Sequence, residues 1–154
     1  MRNSPSVHFP PPLLFVLGFA FAWLLHRRWP LALLQNPSAV SVSFGWLLIS
    51  AGLALLAAGL LTFLRHRTGI YPNQPATTMV MNGPYRFTRN PMYVALTTLY
   101  LGIALLLNML WALLLLPVVI VVLQLAVIRR EERYLKEKFG EAYMDYCRRV
   151  RRWL

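Results

Sequence analysis

The chain has 154 residues, of which 58% are hydrophobic and 14% charged, and its formal net charge is +11. Soluble domains contain about 25% charged residues, so this composition argues against an ordinary soluble globule. All five carboxylate side chains lie after residue 130, which excludes a two-carboxylate active site earlier in the chain. A single cysteine and three widely separated histidines exclude an internal disulfide framework and argue against a bound metal.

Uncharged apolar stretches predict an all-α polytopic membrane protein. A transmembrane helix needs about 20 apolar residues, and residues 44–64 are uncharged. Residues 92–128 are also uncharged, but this stretch is too long for one crossing and has the polar Asn108 near its middle. The prolines at 10–12 are expected to start a shorter first helix. We therefore expect a single domain with about four transmembrane helices, at 13–26, 44–64, 92–107 and 110–128.

The positive charges predict the orientation of these helices. Four spans would place both termini and the 65–91 loop on one side, together with 14 of the 16 lysines and arginines. By the positive-inside rule that side is cytoplasmic, so the tail 129–154 is cytoplasmic too. The expected location is a bacterial-type inner membrane, crossed several times. Topology and anionic lipid head groups account for the charge without nucleic acid, because no nucleic-acid recognition motif accompanies it.

Within the second predicted span, Gly45, Gly52 and Gly59 recur every seven residues and form a smooth stripe for helix packing. No predicted span contains Asp, Glu, Lys or Arg, which argues against an ion or proton pathway. Any chemistry is therefore expected in the two cytoplasmic segments, 65–91 and 129–154.

The 65–91 loop ends in Asn90-Pro91, which predicts an N-cap followed by proline in the first helical turn. A helix N-terminus offers free N–H groups and a positive dipole end to an anion. Arg89 beside it could bind a carboxylate or phosphate. Alternatively, Arg86 and Arg89 only contact lipid head groups.

The tail 129–154 carries apolar residues at steps of three, four and seven, which predicts an amphipathic helix that could break at Gly140. Glu132 lies on the apolar face and Glu131 close to its edge. Carboxylates placed there are costly unless paired. They either form local salt bridges, with Arg129, Arg133 or Lys136 as partners, or bind a ligand. The basic residues at 148–152 are expected to anchor the tail to head groups.

The two segments lie against the cytoplasmic ends of the third and fourth predicted spans, which are neighbours in a hairpin, so the segments are expected to converge. The resulting pocket would combine an arginine and a helix N-terminus for an anion, carboxylates for hydroxyls or an ammonium, and tyrosines for stacking, namely Tyr85, Tyr93, Tyr143 and Tyr146. Such a pocket suits a zwitterionic, nucleoside-like ligand beside lipid.

The same segments resemble the isoprenylcysteine carboxyl methyltransferase family, within the wider group that includes phospholipid N-methyltransferases. The matching stretches are NGPYRFTRNPMY at 82–93 and RREERYLKEKFGEAYMDYCRRVRRW at 129–153. The family pairs an Arg-His-Pro-x-Tyr element with a Glu-Glu-x-x-Leu…Phe-Gly-x-x-Tyr-x-x-Tyr element after a helical hairpin. Asn90 replaces the family's His; it serves equally well if that His only caps a helix, and alters a ligand contact otherwise.

The resemblance implies that S-adenosyl-L-methionine is bound on the cytoplasmic side, that S-adenosyl-L-homocysteine is the product, and that a lipophilic acceptor enters from the bilayer. Arg89, Arg129, Glu131 and Glu132 are the implied catalytic residues. Implied cofactor contacts, by position, are Gly83, Tyr85, Arg89, Asn90, Pro91, Tyr93, Glu132, Leu135, Tyr143 and Tyr146. No metal is implied.

The acceptor stays open at this stage. A carboxylate acceptor, such as a prenylcysteine-like group, needs no base at neutral pH, whereas a lipid amine must first lose a proton. The scarcity of candidate bases favours the carboxylate. Two other functions are considered: a sterol-reductase-like NADPH enzyme, for which no glycine-rich phosphate loop is present, and a four-helix membrane scaffold without catalysis.

Overall fold

A computed structural model describes residues 10–66 and 78–154, and within these ranges the chain forms helices and no strand. The predicted all-α class is therefore confirmed. Residues 67–77 of the predicted cytoplasmic loop and the N-terminal nine residues lie outside the described residues. The helices are α1 Pro11–Arg28, α2 Ala39–Arg65, α3 Pro91–Leu106, α4 Leu110–Leu123 and α5 Arg129–Arg149, with a 3₁₀ turn at Gly83–Arg86 and a π-helical turn at Gln124–Ile128.

Two of the described helices are long and apolar enough to cross a membrane. One is α2, and the other is the helical stretch Leu110–Arg149, which comprises α4, the π-helical turn and α5. The helix α3 is apolar but shorter. The helix α1 begins with Pro10 at its N-cap and Pro11 in its first turn, as the run of prolines predicts.

The helix α2 begins five residues earlier than the predicted span, at Ala39. Its start is defined by a capping box, in which the Ser38 hydroxyl accepts from the Ser41 backbone N–H at 3.3 Å and the Ser41 hydroxyl accepts from the Ser38 N–H at 3.0 Å. The predicted span followed the apolar run, whereas the helix begins where its free N–H groups find partners.

The glycine stripe of α2 packs against α3, as predicted. Gly45, Gly52 and Gly59 are buried. A Cβ atom at Gly52 would lie 2.7 Å from the Leu99 Cγ, and one at Gly102 would lie 2.9 Å from the Gly45 carbonyl oxygen. The two backbones are therefore too close for side chains at these positions, which is the packing that small residues permit between apolar helices.

Asn108 forms the turn between α3 and α4, in the left-handed conformation with φ of 53°. Its side-chain Oδ1 accepts from the Leu34 N–H at 2.8 Å, and its Nδ2 donates to the Leu34 carbonyl at 2.9 Å. The Trp111 indole donates to the Trp29 carbonyl at 2.7 Å. The α1–α2 and α3–α4 connections therefore lie together, and the polar segments 78–90, before α3, and 129–154, after α4, lie at the opposite ends of these helices.

The helix α5 is interrupted at Gly140, whose φ of 52° and ψ of −126° are non-helical. A Cβ atom there would meet nothing within 4 Å, so glycine is required by the backbone angles and not by packing. The predicted break is confirmed. After it the chain turns back, and residues 151–152 reach the segment that precedes α3.

Candidate functional site

The segment before α3 and the end of the chain are joined by hydrogen bonds. The Arg89 N–H donates to the Arg151 carbonyl at 2.9 Å. The Thr88 hydroxyl and the Asn90 Nδ2 both donate to the Arg152 carbonyl, at 3.2 and 2.9 Å. Two segments that are more than 60 residues apart in sequence therefore form one structure, as expected for a shared site.

Asn90 occupies the N-cap position of α3, and Pro91 is buried in its first turn, both as predicted. The Asn90 side chain, however, makes no capping hydrogen bond. Its amide is held by the Arg152 carbonyl instead, so the expectation that this side chain caps the helix is wrong. Its function in this structure is to join the two segments.

Glu132 is the centre of an ionic cluster. The Arg152 Nε and Nη2 donate to its two carboxylate oxygens at 2.8 and 2.7 Å, a two-pronged contact. The Arg89 Nη1 lies 3.1 Å from Glu132 Oε1. The side chains of Arg89 and Glu132 are only 14% and 17% exposed. Two guanidinium groups share one carboxylate here, which leaves the cluster with an excess positive charge that suits an anion.

The ion pairs of Glu132 bear on two expectations, namely its local pairing along the helix and the participation of Arg129. The ion-pair partners of Glu132 are distant arginines, so the alternative of local pairing along the helix is wrong for this residue. Arg129 is exposed and takes no part in the ion pairs of Glu132. Spacing along the helix predicted a local partner, but the returning chain end supplies a stronger, two-pronged one.

The cluster leaves a buried polar atom of Arg89, its Nε, without a hydrogen-bond partner among the described residues. Its Nη1 also donates to the Cys147 Sγ at 2.8 Å. Its Nε is buried and has no hydrogen-bond partner within residues 10–66 and 78–154. A buried cationic donor without an acceptor is costly, so this N–H is suited to a carboxylate or phosphate oxygen of a ligand.

Glu131 has different surroundings from its neighbour. It accepts a hydrogen bond from the Tyr93 hydroxyl at 2.8 Å. Burial raises the pKa of its carboxyl to about 7, the hydrogen bond from Tyr93 opposes this rise, and the charge of Glu132 adds to it. Two adjacent carboxylates thus differ in surroundings: Glu132 is bound by two arginines, whereas Glu131 accepts a hydrogen bond from a phenol and can exchange a proton near neutral pH.

Three of the four predicted tyrosines, Tyr85, Tyr143 and Tyr146, are buried near the cluster, and Tyr93 is partly buried. The Tyr146 hydroxyl donates to the Tyr85 carbonyl at 2.7 Å, and the Tyr143 and Tyr146 rings lie 6.2 Å apart. The Tyr85 ring packs 5.3 Å from Phe63 of α2. Burial raises the pKa of Tyr146 to about 12. These phenols are therefore neutral at physiological pH and provide flat apolar faces with hydroxyl groups.

Two further residues, Gly83 and Leu135, were also implied as cofactor contacts. Gly83 has φ of 60°, and a Cβ atom there would lie 2.8 Å from the Thr62 Oγ1 of α2. Backbone conformation and close packing therefore explain this glycine without a ligand. Leu135 is partly exposed on α5.

Sequence reasoning missed Arg152 and Cys147. Arg152 belonged to the basic run that was assigned to lipid head groups, an interpretation that its contact with Glu132 contradicts. Cys147 contacts Arg89 and lies on the same helical face as Tyr143. The one signal for Arg152 was Gly140, because a break in the helix allows the chain end to return to Glu132.

These features define an α-helical protein with apolar helices able to cross a membrane and a cluster of arginines and glutamates beside them. A sequence model of the phospholipid methyltransferase family matches residues 40–142, which is more than half of the chain. The chain therefore belongs to the phospholipid methyltransferase family, in agreement with the resemblance in its motifs. No curated protein matches the chain. The matched range includes Arg89, Glu131 and Glu132 and ends before Arg152.

Proposed function

We propose that this protein is an S-adenosyl-L-methionine-dependent methyltransferase that acts on a lipophilic acceptor in the membrane. The observation that carries the proposal is the Arg89–Glu132–Arg152 cluster, in which a buried Arg89 N–H lacks a partner among the described residues. The cluster lies beside the first turn of α3 and the start of α5. Membership of a methyltransferase family supports the reaction type.

The residues present suit the cofactor. Arg89 would bind the carboxylate of its methionine part through the free Nε, assisted by the N-terminus of α3. Glu132 would orient Arg89 and contact polar groups of the cofactor. Tyr85, Tyr143 and Tyr146 would pack against the adenosine. The other cofactor contacts that the resemblance implies, and that belong to the same proposal, are Gly83, Asn90, Pro91, Tyr93 and Leu135. When bound, S-adenosyl-L-methionine supplies a methyl group activated by a sulfonium.

The residues can supply most of the catalysis by positioning. Methyl transfer is an in-line displacement, so holding the two reactants in line and excluding water lowers the barrier without a covalent nucleophile. Glu131 is suited to take a proton from a lipid ammonium, because its carboxyl titrates close to neutral pH. A carboxylate acceptor would not need this step. Glu131→Gln should therefore lose methylation of an amine acceptor but retain methylation of a carboxylate acceptor. The activity of this variant distinguishes the two acceptor classes.

The topology belongs to the same proposal. We place all four apolar helices across the membrane, with both termini cytoplasmic in a bacterial-type inner membrane. The shared end formed by Asn108 and Leu34 would face outward, and the ionic cluster inward. Reporter fusions after Leu154 and within residues 29–38 test this directly: a periplasm-dependent reporter should be active only at the second position.

Binding of the demethylated product is the direct test of the cofactor site. Titration calorimetry in detergent should show micromolar binding of S-adenosyl-L-homocysteine to the folded wild type. Arg89→Ala should weaken it at least tenfold, because a charge-assisted contact is lost. Arg148→Ala is the matched control, since Arg148 is 69% exposed and forms only surface ion pairs. A folded wild-type protein that binds neither cofactor nor product would refute the proposal.

Activity is a second readout. A tritiated methyl group from S-adenosyl-L-methionine should appear in the lipid extract with wild type and with Arg148→Ala. Arg89→Ala and Glu132→Ala should both lose this transfer. Equal transfer by all four proteins, above that of membranes without the protein, would show that the reaction does not need Arg89 or Glu132, whereas no transfer by any of them would favour the scaffold alternative.

A further inference from the structure

A polar side chain with one unpaired atom lies where the long apolar helix changes its winding. Gln124 begins the π-helical turn Gln124–Ile128, which separates α4 from α5. Its Oε1 accepts a hydrogen bond from the Trp153 indole at 3.2 Å, and this contact orients the carboxamide. Its Nε2 is buried and finds no acceptor in the parts of the chain that the structure describes. An amide N–H left in this state is destabilising, and a ligand oxygen would relieve it.

Gln124 is connected to the ionic cluster through the chain end. Trp153, which binds Gln124, directly follows Arg152, which binds Glu132. Along the helix Gln124 precedes Glu131 by seven residues, roughly 10 Å at the α-helical rise. The carboxamide therefore lies on the apolar side of the charged residues, where the polar head of a membrane-soluble acceptor has to approach the cofactor.

The π-helical turn makes this placement more than a packing detail. A π turn inserts an extra residue into the helix, disturbs the regular backbone hydrogen bonds and is frequently found at functional sites. The last two residues of the turn, Val127 and Ile128, are fully buried. A neutral amide is less costly to keep beside such side chains than a charged donor, because burying it involves no charge.

We propose that Gln124 is a positioning residue for the acceptor, whose head group it binds by donating a hydrogen bond from Nε2 to a carbonyl, phosphate or carboxylate oxygen. The inference rests on the proposed methyltransferase function and adds to it the group that orients the lipid. An ammonium cannot accept this hydrogen bond, so Gln124 holds the oxygen-bearing part of the acceptor in either acceptor class.

Two substitutions separate this function from a structural one. Gln124→Leu and Trp153→Phe both remove the hydrogen bond between the two side chains, but only the first removes the Nε2 donor. Leu125→Ala is the control on the same turn, since Leu125 is exposed. The assay measures transfer of a tritiated methyl group to three acceptors: dioleoylphosphatidylethanolamine, N-acetyl-S-farnesylcysteine and a total membrane lipid extract.

Gln124→Leu should raise the KM for the acceptor about tenfold, the effect of one lost hydrogen bond to a bound ligand. Its Kd for S-adenosyl-L-homocysteine should stay within twofold of the wild type. Trp153→Phe should raise the acceptor KM less than threefold, and Leu125→Ala should leave it unchanged. The acceptor on which the Gln124→Leu effect appears distinguishes a phospholipid oxygen from a prenylcysteine carboxylate.

The inference is overturned if Gln124→Leu keeps the wild-type acceptor KM, if Trp153→Phe has an equal effect, or if a cofactor-binding wild type methylates none of the three acceptors. A wild type that binds no S-adenosyl-L-homocysteine would refute the proposed function first, so the two failures are distinguishable. Thermal unfolding without acceptor gives an independent check: a midpoint for Gln124→Leu well below that of Trp153→Phe would assign the amide a structural function and also overturn the inference.

Discussion

Replacing Glu132 by glutamine would remove the one negative charge that lies between Arg89 and Arg152, with almost no change in shape. The carboxylate accepts hydrogen bonds from Arg152 at 2.8 and 2.7 Å and lies 3.1 Å from the Arg89 guanidinium. Glutamine keeps one acceptor oxygen, but its amide N–H groups would face two cations. The substitution therefore leaves two partly buried guanidinium groups without compensation.

The expected loss of stability can be estimated from burial. Removing one partner of a buried ion pair costs about 3–5 kcal/mol. The Arg152 side chain is 42% exposed, so solvent screens its share, which we place at about 1 kcal/mol or less. With Arg89 at 14% exposure supplying most of the effect, we expect a net loss of roughly 3 kcal/mol, or about 5–10 °C in the unfolding midpoint of a chain of this length.

Thermal unfolding in detergent, followed by tryptophan fluorescence, measures this shift. Glu137→Gln is the matched control, because Glu137 is an exposed residue of the same helix and its substitution removes the same charge. Raising the salt concentration should change the Glu132→Gln shift little, since the pair is largely shielded from solvent. A shift below about 2 °C, or an equal shift in Glu137→Gln, would show that the cluster does not stabilise the fold.

Two further predictions test the helix packing and the titration of the site. Gly52→Val should prevent close packing of α2 on α3, because even a Cβ atom would lie 2.7 Å from the Leu99 Cγ; protease resistance in membranes should fall, while Ala51→Val, on the exposed side of α2, should retain it. The pKa of Glu131 is raised in the folded protein, so its contribution to the free energy of unfolding should be largest below pH 4.5. This contribution should fall, by up to about 3 kcal/mol, as the pH rises to about 7. Unfolding midpoints measured across this range should lose that component in Glu131→Gln, and an unchanged pH dependence would refute the assignment.

Much of the fold follows from local patterns. The lengths of the uncharged runs predict where the apolar helices lie, because a helix in lipid must satisfy its own backbone and present apolar side chains. The Asn108 turn, the start of α1 at the prolines and the break at Gly140 all depend on backbone preferences of single residues. The glycine stripe likewise predicts a packing face. The start of α2 was also encoded locally, in Ser38 and Ser41, although the apolar run obscured it.

The site was predictable in its components but not in its contacts. The motifs identify Arg89, Glu131 and Glu132, and their order along the chain predicts that the two segments converge. Helical spacing, however, favoured local pairing as one of two alternatives for Glu132, and the Asn90-Pro91 pair predicted a capping function for the Asn90 side chain. Both predictions failed because the chain end returns after Gly140 and offers Arg152 to one side chain and its carbonyl to the other.

Sequence alone thus established the helical class, the positions of the helices and the residues that carry charge, because these depend on hydrophobic length and on backbone preferences within a few residues. Tertiary structure decided which arginines bind Glu132 and that Glu131 accepts a hydrogen bond from Tyr93. It also decided which side chain holds the amide of Gln124. Those contacts join residues 20 to 43 positions apart. They exist because packed helices and one glycine bend bring the chain end back to the start of α3 and α5.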